Sequence, residues 1–281
     1  MIRRDAIGRG GERSWLLVEQ IVHARLAGGL AGAWRWPTPR PAGHEAMLRA
    51  IDHHDDGWAE WDAAPELDRD GKPLAFTEMS LVVSTAIWRR SIAIAEGIDP
   101  LATYMVAGHF RALLERHASW RSGPAEPREA AEAFLRLAGD RMAWAREACG
   151  DEPSGEPLRD RLALDDALRW LQLFDAASLW LCCTPAAEGR FELPCGGGTR
   201  LPSATVRFVR LNAGQPQFGG DPGQISLAER IAVEPWPFDA AQVGLVANGR
   251  VAPARPIATD RTPFCEIGHR RQVAWTLTPG G

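Results

Sequence analysis

The densest run of chemistry in the chain is Asp52-His53-His54-Asp55-Asp56-Gly57-Trp58, five ionisable side chains in succession ahead of a glycine. Adjacent His and Asp side chains project about 100° apart around a helix, so both can reach one cation placed off its flank. Imidazole together with carboxylate suits a borderline divalent ion. The plainer reading is a solvated helix terminus, where polar residues collect. His53 could act in place of His54 through a shift of one residue, but only His54 is followed directly by a carboxylate. His53 then becomes a candidate wall of the pocket. Asp56 is either a further carboxylate of the site or a cap on the helix end.

A second carboxylate stands out for its surroundings. Asp175 lies among Trp170, Leu171, Leu173, Phe174, Leu179 and Trp180, which leave little of that helix facing water. A buried carboxylate without a partner costs several kcal/mol or takes up a proton, so Asp175 must meet a cation, a donor network or a metal. Gln172 and Ser178, three residues to either side, share its face and can supply hydrogen bonds behind it. His23, in the first turn of an early helix, would read alone as a helix-packing histidine. His109 sits amid Tyr104, Val106 and Phe110 and is either a packing residue or an acid, base or substrate contact near the site. His117 is eight residues further along the same helix, too far to chelate the same ion, which favours one metal over two.

Arg89 and Arg90 follow Trp88 and could hold a phosphate, or could simply line a solvated helix face. Glu78 in Phe76-Thr77-Glu78-Met79 is a candidate general base, or the third-position acceptor of a helix cap. Trp58 and Trp61 flank the ionisable run and can wall off a pocket. No phosphate-binding glycine loop, dinucleotide fingerprint, nucleophile elbow or Cys-His pair is present.

The elements that must position these residues are mostly helical. Residues 14–19 read as a short strand, 21–34 as a helix, 44–56 as a helix stopped by Gly57 at a C-cap, and 79–96 as a long helix. Asp99 can cap the next helix, with Pro100 at its first position, running towards Ser119. Residues 127–149 and 158–183 complete about six helices. Past Thr184 the texture changes to glycines, prolines and alternating apolar residues such as Val206 and Phe208, ending in Gln272-Val273-Ala274-Trp275-Thr276-Leu277. Short strands and turns fit this better than helices.

Composition sets outer bounds. The chain has 281 residues, 45% of them hydrophobic, enough to bury a full core. Five cysteines without a CxxC pair point to reduced thiols rather than a disulfide framework or a four-cysteine zinc site. A formal charge of −4 gives no basic field for nucleic acid. With no signal-like apolar run at the start and no membrane-length apolar stretch, a cytoplasmic protein without nucleic-acid or membrane partners is expected.

His54-Asp55-Asp56-Gly57 resembles the His-Asp-x-Gly core of HD-domain metallohydrolases. A closer resemblance, over most of the chain, is to the DUF3891 group of uncharacterised bacterial proteins. It rests on Val22-His23-Ala24-Arg25-Leu26-Ala27-Gly28, His53 to Trp58 with Trp61-Asp62, Phe76 to Met79, and Ile87-Trp88-Arg89-Arg90-Ser91. The HD resemblance implies a ligand set of His23, His54, Asp55 and Asp175 around one divalent ion, whose identity among Mn, Fe, Co, Ni, Zn and Mg is left open. Trp58 stands where that superfamily often carries a Lys. The resemblance implies a mainly α fold: an HD-like helical bundle over residues 1–188 with an N-terminal strand. Residues 189–281, alone or joined by the N-terminal strand, would form a small antiparallel β appendage packed on the bundle.

The implied activity is metal-dependent hydrolysis of a small phosphorylated metabolite or nucleotide, with Asp55 or Asp56 orienting water, His109 nearby, and Arg89 or Arg90 holding charge. Two rival expectations are a non-catalytic regulatory module that keeps the metal, and an HD-type iron oxygenase.

Overall fold

The computed structural model describes residues 1–7, 11–116, 118–150, 163–194, 204–211, 225–257 and 262–280. Strand β1 (Ile2–Ile7) runs antiparallel to β2 (Arg13–Val18), with Ile2 opposite Val18 and Ile7 opposite Arg13. Alternate residues of β2 point to opposite faces, and both faces are covered. Leu16 and Val18 join the main core, whereas Trp15 and Leu17 join a second cluster with Trp58, Trp61, Ile87 and Phe264.

The remaining strands are β3 (Glu188–Glu192), β4 (Thr205–Arg210), β5 (Ile225–Glu234), β6 (Val243–Pro253) and β7 (His269–Pro279). With the first two they form one seven-stranded sheet in the order β1-β2-β6-β7-β5-β4-β3. Its pairings are antiparallel except β5 with β7. This overturns the expected mainly helical bundle with a small antiparallel appendage: the sheet is large and mixed, and it is a principal layer of the fold. One of its pairings joins Ser14–Leu17 to Arg250–Pro253, segments from opposite ends of the chain. No local pattern announces such a pairing. In β6, Val243, Leu245 and Ala247 are buried while Gly244, Val246 and Asn248 are exposed, the period of a strand with one face on a core.

The helices lie against this sheet. They are α1 (Gln20–Ala33), α2 (His44–His53), the short α3 (Ala59–Ala63), α4 (Leu81–Glu96), α5 (Pro100–Arg116), α6 (Ala125–Ala148) and α7 (Leu164–Cys183). Helix α1 rests on β6 closely enough that a Cβ at Gly29 would lie 3.2 Å from Leu245. Helix α7 packs on α1, α2, α5, β1 and β3 through residues including Trp170, Phe174 and Leu181, all buried. Asp99 caps α5, its carboxylate accepting from Leu101 N at 2.8 Å. Residues 158–162 of the helix expected from Leu158, and His117, lie outside the described residues.

Helix α2 differs from expectation at the point that matters most. It ends at His53; His54 keeps helical angles as the C-cap, and Asp55 leaves them at φ −106°, ψ 15°. A 3₁₀ turn over Asp56–Trp58 follows. Gly57 is therefore no helix C-cap. It allows the turn to press on α4, since a Cβ there would lie 2.5 Å from Ser91 N and 2.6 Å from Ile87 O.

Candidate metal centre

Three helices and one turn bring five titratable side chains together inside the protein: His23 from α1, His54 and Asp55 from the end of α2, His109 from α5 and Asp175 from α7. Their relative exposures are 1%, 0%, 4%, 2% and 8%, so each must find its partners inside the protein or in a bound ion rather than in bulk water.

The hydrogen bonds fix two tautomers. His54 Nδ1 donates to the Ile51 carbonyl at 2.8 Å, which leaves Nε2 as the lone-pair nitrogen of the neutral ring. That Nε2 is buried without a hydrogen-bond partner, 3.4 Å from Asp175 Oδ1 and 3.5 Å from Asp55 Oδ2. Ser178 Oγ donates to the Asp175 carbonyl at 2.9 Å, so its oxygen accepts from His23 Nδ1, also at 2.9 Å. His23 Nε2 then faces Asp55 Oδ2 at 2.7 Å and Asp175 Oδ1 at 3.8 Å. Two nitrogen lone pairs and two carboxylates converge, and only a proton or a cation between them makes the arrangement favourable.

The donor atoms of His23, His54 and Asp175 lie within 4.8 Å of one another and form a candidate three-residue metal cluster. Metal–ligand bonds of about 2.1 Å at tetrahedral or octahedral angles place neighbouring donors roughly 3.0–3.4 Å apart, and the two carboxylate contacts of His54, at 3.4 and 3.5 Å, lie at the upper edge of that span. Each histidine gives its other ring nitrogen to a carbonyl or hydroxyl, as ligating histidines do. The residues fit a borderline divalent ion, with Asp55 beside both imidazoles.

Without an ion, protons carry the charge. Burial works against a charged His54, but Asp55 and Asp175 outweigh it and raise its pKa to about 9. Burial would likewise raise both aspartates. His54 and then His23 hold Asp55 below the ordinary carboxylate range. His109 and then His54 do the same for Asp175. His109 itself is pushed down to about 4 by burial, so at neutral pH His54 is the cation that Asp175 meets. His109 Nε2 lies 3.9 Å from Asp175 Oδ2, and its Nδ1 is buried without a partner.

Other expected residues stand elsewhere. His53 is half-buried and bonds Asp56 Oδ2 through Nδ1 at 2.6 Å; Asp56 also accepts from Arg25 at 2.8 Å. Trp58 is buried and lines a cavity beside the site. Glu78 is exposed: it takes both terminal nitrogens of Arg3, at 2.6 and 2.7 Å, and caps its turn by accepting from Ala75 N at 2.9 Å. Arg89 and Arg90 are exposed on α4, with Arg90 paired to Glu60 at 2.6 Å, and neither lines a cavity at the centre.

Two cavities meet at His109 and Asp175. One, of about 620 Å³, carries Arg116, Arg169 and Arg190 beside Gln172. The other, of about 570 Å³, holds His23, Asp55 and Trp58 together with a largely aromatic and aliphatic wall. The three arginines went unnoticed in the sequence because they come from α5, α7 and β3. The one local signal is on α7, where Arg169, Gln172 and Ala176 form a stripe beside Asp175.

The family model described as "Protein of unknown function (DUF3891)" matches residues 6–253. No curated protein and no solved structure matches the chain. No helix among the described residues is long and apolar enough to cross a membrane.

Proposed function

The chain belongs to the DUF3891 family, and from its buried centre we propose that it is a metal-dependent phosphohydrolase acting on a small phosphorylated molecule. The observation that carries this reading is His54 Nε2: buried, unpartnered, its tautomer set by the Ile51 carbonyl, and within 3.5 Å of two carboxylates. The order of the donors, His then His-Asp then Asp, is also that of HD-type metallohydrolases. His23, His54 and Asp175 would hold the ion, with Asp55 completing the set.

A divalent ion there supplies Lewis-acid polarisation of a phosphoryl oxygen and a lowered water pKa. The side chains supply the rest. Arg116, Arg169 and Arg190, rather than Arg89 and Arg90, face the cavity that reaches Asp175 and would bind the phosphoryl charge. Arg169 lies 3.7 Å from the half-buried Asp166, and Arg190 pairs at 2.6 Å with the exposed Glu188; both guanidinium groups are solvent-facing, so these pairs are cheap to exchange. In hydrolysis, water adds to phosphorus as the phosphorus–oxygen ester bond breaks, giving the free alcohol and phosphate. His109, kept neutral by burial, has a ring nitrogen able to take the proton from water and return it to the departing alkoxide.

The test is metal analysis of protein purified without chelator, followed by turnover across a panel of phosphate esters. Near-stoichiometric divalent metal, lost in a His54→Ala, Asp175→Ala double variant, with turnover lost alongside it, is the expected result. Metal retained by the double variant, or no turnover of any ester by loaded protein, overturns the reading; the latter with ligand-induced thermal stabilisation would favour a regulatory module.

A further inference from the structure

The two cavities differ in chemistry. The first presents three guanidinium groups around Gln172 and Glu192. The second is walled by residues such as Phe76, Met79, Trp88, Phe110, Leu114 and Trp120. His109, Leu113 and Asp175 line both. Away from the metal centre the chamber wall is apolar and reaches inward: Trp88 stacks 5.4 Å from Phe110 at an interplanar angle of 16°, and Phe110 is only 2% exposed. A water-filled chamber of this composition leaves that apolar wall wet, a cost that an apolar ligand of matching shape relieves.

We propose that the substrate is a phosphate ester of a bulky apolar or aromatic alcohol, bound with its phosphoryl group at the arginine side of Asp175 and its alcohol portion in the aromatic chamber. The inference rests on the phosphohydrolase reading and adds the substrate class to it. A small sugar phosphate would leave the chamber unfilled, whereas an extended apolar alcohol buries its surface beside the reacting ester. Cleavage gives that alcohol and inorganic phosphate, with one water consumed.

The test separates binding from turnover by using phosphonates, whose carbon–phosphorus bond resists hydrolysis. Calorimetric titration of manganese-loaded protein with octylphosphonate and with methylphosphonate should give at least about tenfold tighter binding of the octyl compound, since each buried methylene favours transfer from water. Met79→Ala and Trp120→Ala, at half-buried wall positions, should each weaken octylphosphonate severalfold and leave methylphosphonate unchanged. Arg190→Ala should weaken both. Wall variants that lower the affinity for both probes equally indicate general damage and count against the chamber. Equal affinity of the intact protein for the two probes overturns the inference, while the hydrolase reading stands or falls by turnover of the ester panel. Selective octylphosphonate binding with no hydrolysis of octyl or naphthyl phosphate overturns the hydrolase reading, and the assignment of an ester substrate with it.

Discussion

His23 on α1 and Ser178 on α7 are joined by a 2.9 Å hydrogen bond whose direction is set by a second one, from the Ser178 hydroxyl to the Asp175 carbonyl. The serine hydroxyl has already used its proton, so it can only accept from His23 Nδ1. That makes Nε2 the free nitrogen. A single hydroxyl therefore decides which His23 nitrogen faces Asp55 and Asp175, and it ties together two of the helices that carry the site.

Ser178→Ala should lower metal affinity about 10–100-fold, the usual cost of removing a hydrogen bond behind a ligating histidine. Stability should fall by about 1–3 kcal/mol as well, because the buried Nδ1–H loses its acceptor, so the affinity is read on folded protein. Competition with a chromogenic chelator measures the affinity. Affinity within twofold of the parent protein would sink the tautomer argument.

The residue types of the centre were legible in the chain; their placement was only partly so. A carboxylate among tryptophans and leucines had to meet a partner, and Asp175 does. The His-Asp pair was read as two neighbours on a helix, yet α2 ends at His53 and the two residues reach the centre because the chain leaves the helix at Asp55. Helical spacing alone could not say which face of α4 Arg89 and Arg90 occupy. The sheet was underestimated for a similar reason. Its pairings join β2 to β6, segments more than two hundred residues apart in the chain, so no local pattern gives the extent of the sheet.

Two glycines should respond oppositely to alanine. At Gly57 the added methyl meets backbone, 2.5 Å from Ser91 N and 2.6 Å from Ile87 O, which cannot move without shifting α4. Gly57→Ala should cost about 3 kcal/mol, at the upper end for overpacking. At Gly32, exposed in α1, nothing lies within 4 Å, so Gly32→Ala should stabilise by up to about 1 kcal/mol through helix propensity. Urea titration of both variants gives the signs; the same sign for both would refute this account of Gly57.

Glu229 on β5 holds a buried cationic pair. Its Oε1 lies 3.2 Å from Arg4, and its Oε2 accepts from Trp275 Nε1 at 3.0 Å and pairs with Arg210. Arg210 in turn donates to the carbonyls of Trp180 and Thr184, each at 3.0 Å, fastening the end of α7 to the sheet. Glu229→Gln removes the only carboxylate that these contacts give the two guanidinium groups and should destabilise by about 3–5 kcal/mol. Combining it with Arg210→Met should cost less than the two single changes together, because they share one network. Additive losses in denaturant would show that the cluster does not act as a unit.

Arg3 and Glu78 give the fold a pH dependence outside the centre. The Arg3 hydrogen bond, ahead of the opposing effect of partial burial, lowers the Glu78 pKa from its ordinary 4.5 to about 2. A carboxylate with a depressed folded pKa contributes stability that is complete above the unfolded pKa and is lost as pH falls through the folded one. The contribution should therefore be full at neutral pH and shrink progressively between about pH 4.5 and 2. Glu78 is exposed, so solvent screening keeps the effect modest. The decisive comparison is parent protein with Glu78→Gln in urea at pH 7 and at pH 3. The variant should be the less stable at pH 7 by a gap that narrows at pH 3, and a gap independent of pH would mean that shape and hydrogen bonding, rather than charge, join Arg3 to this turn.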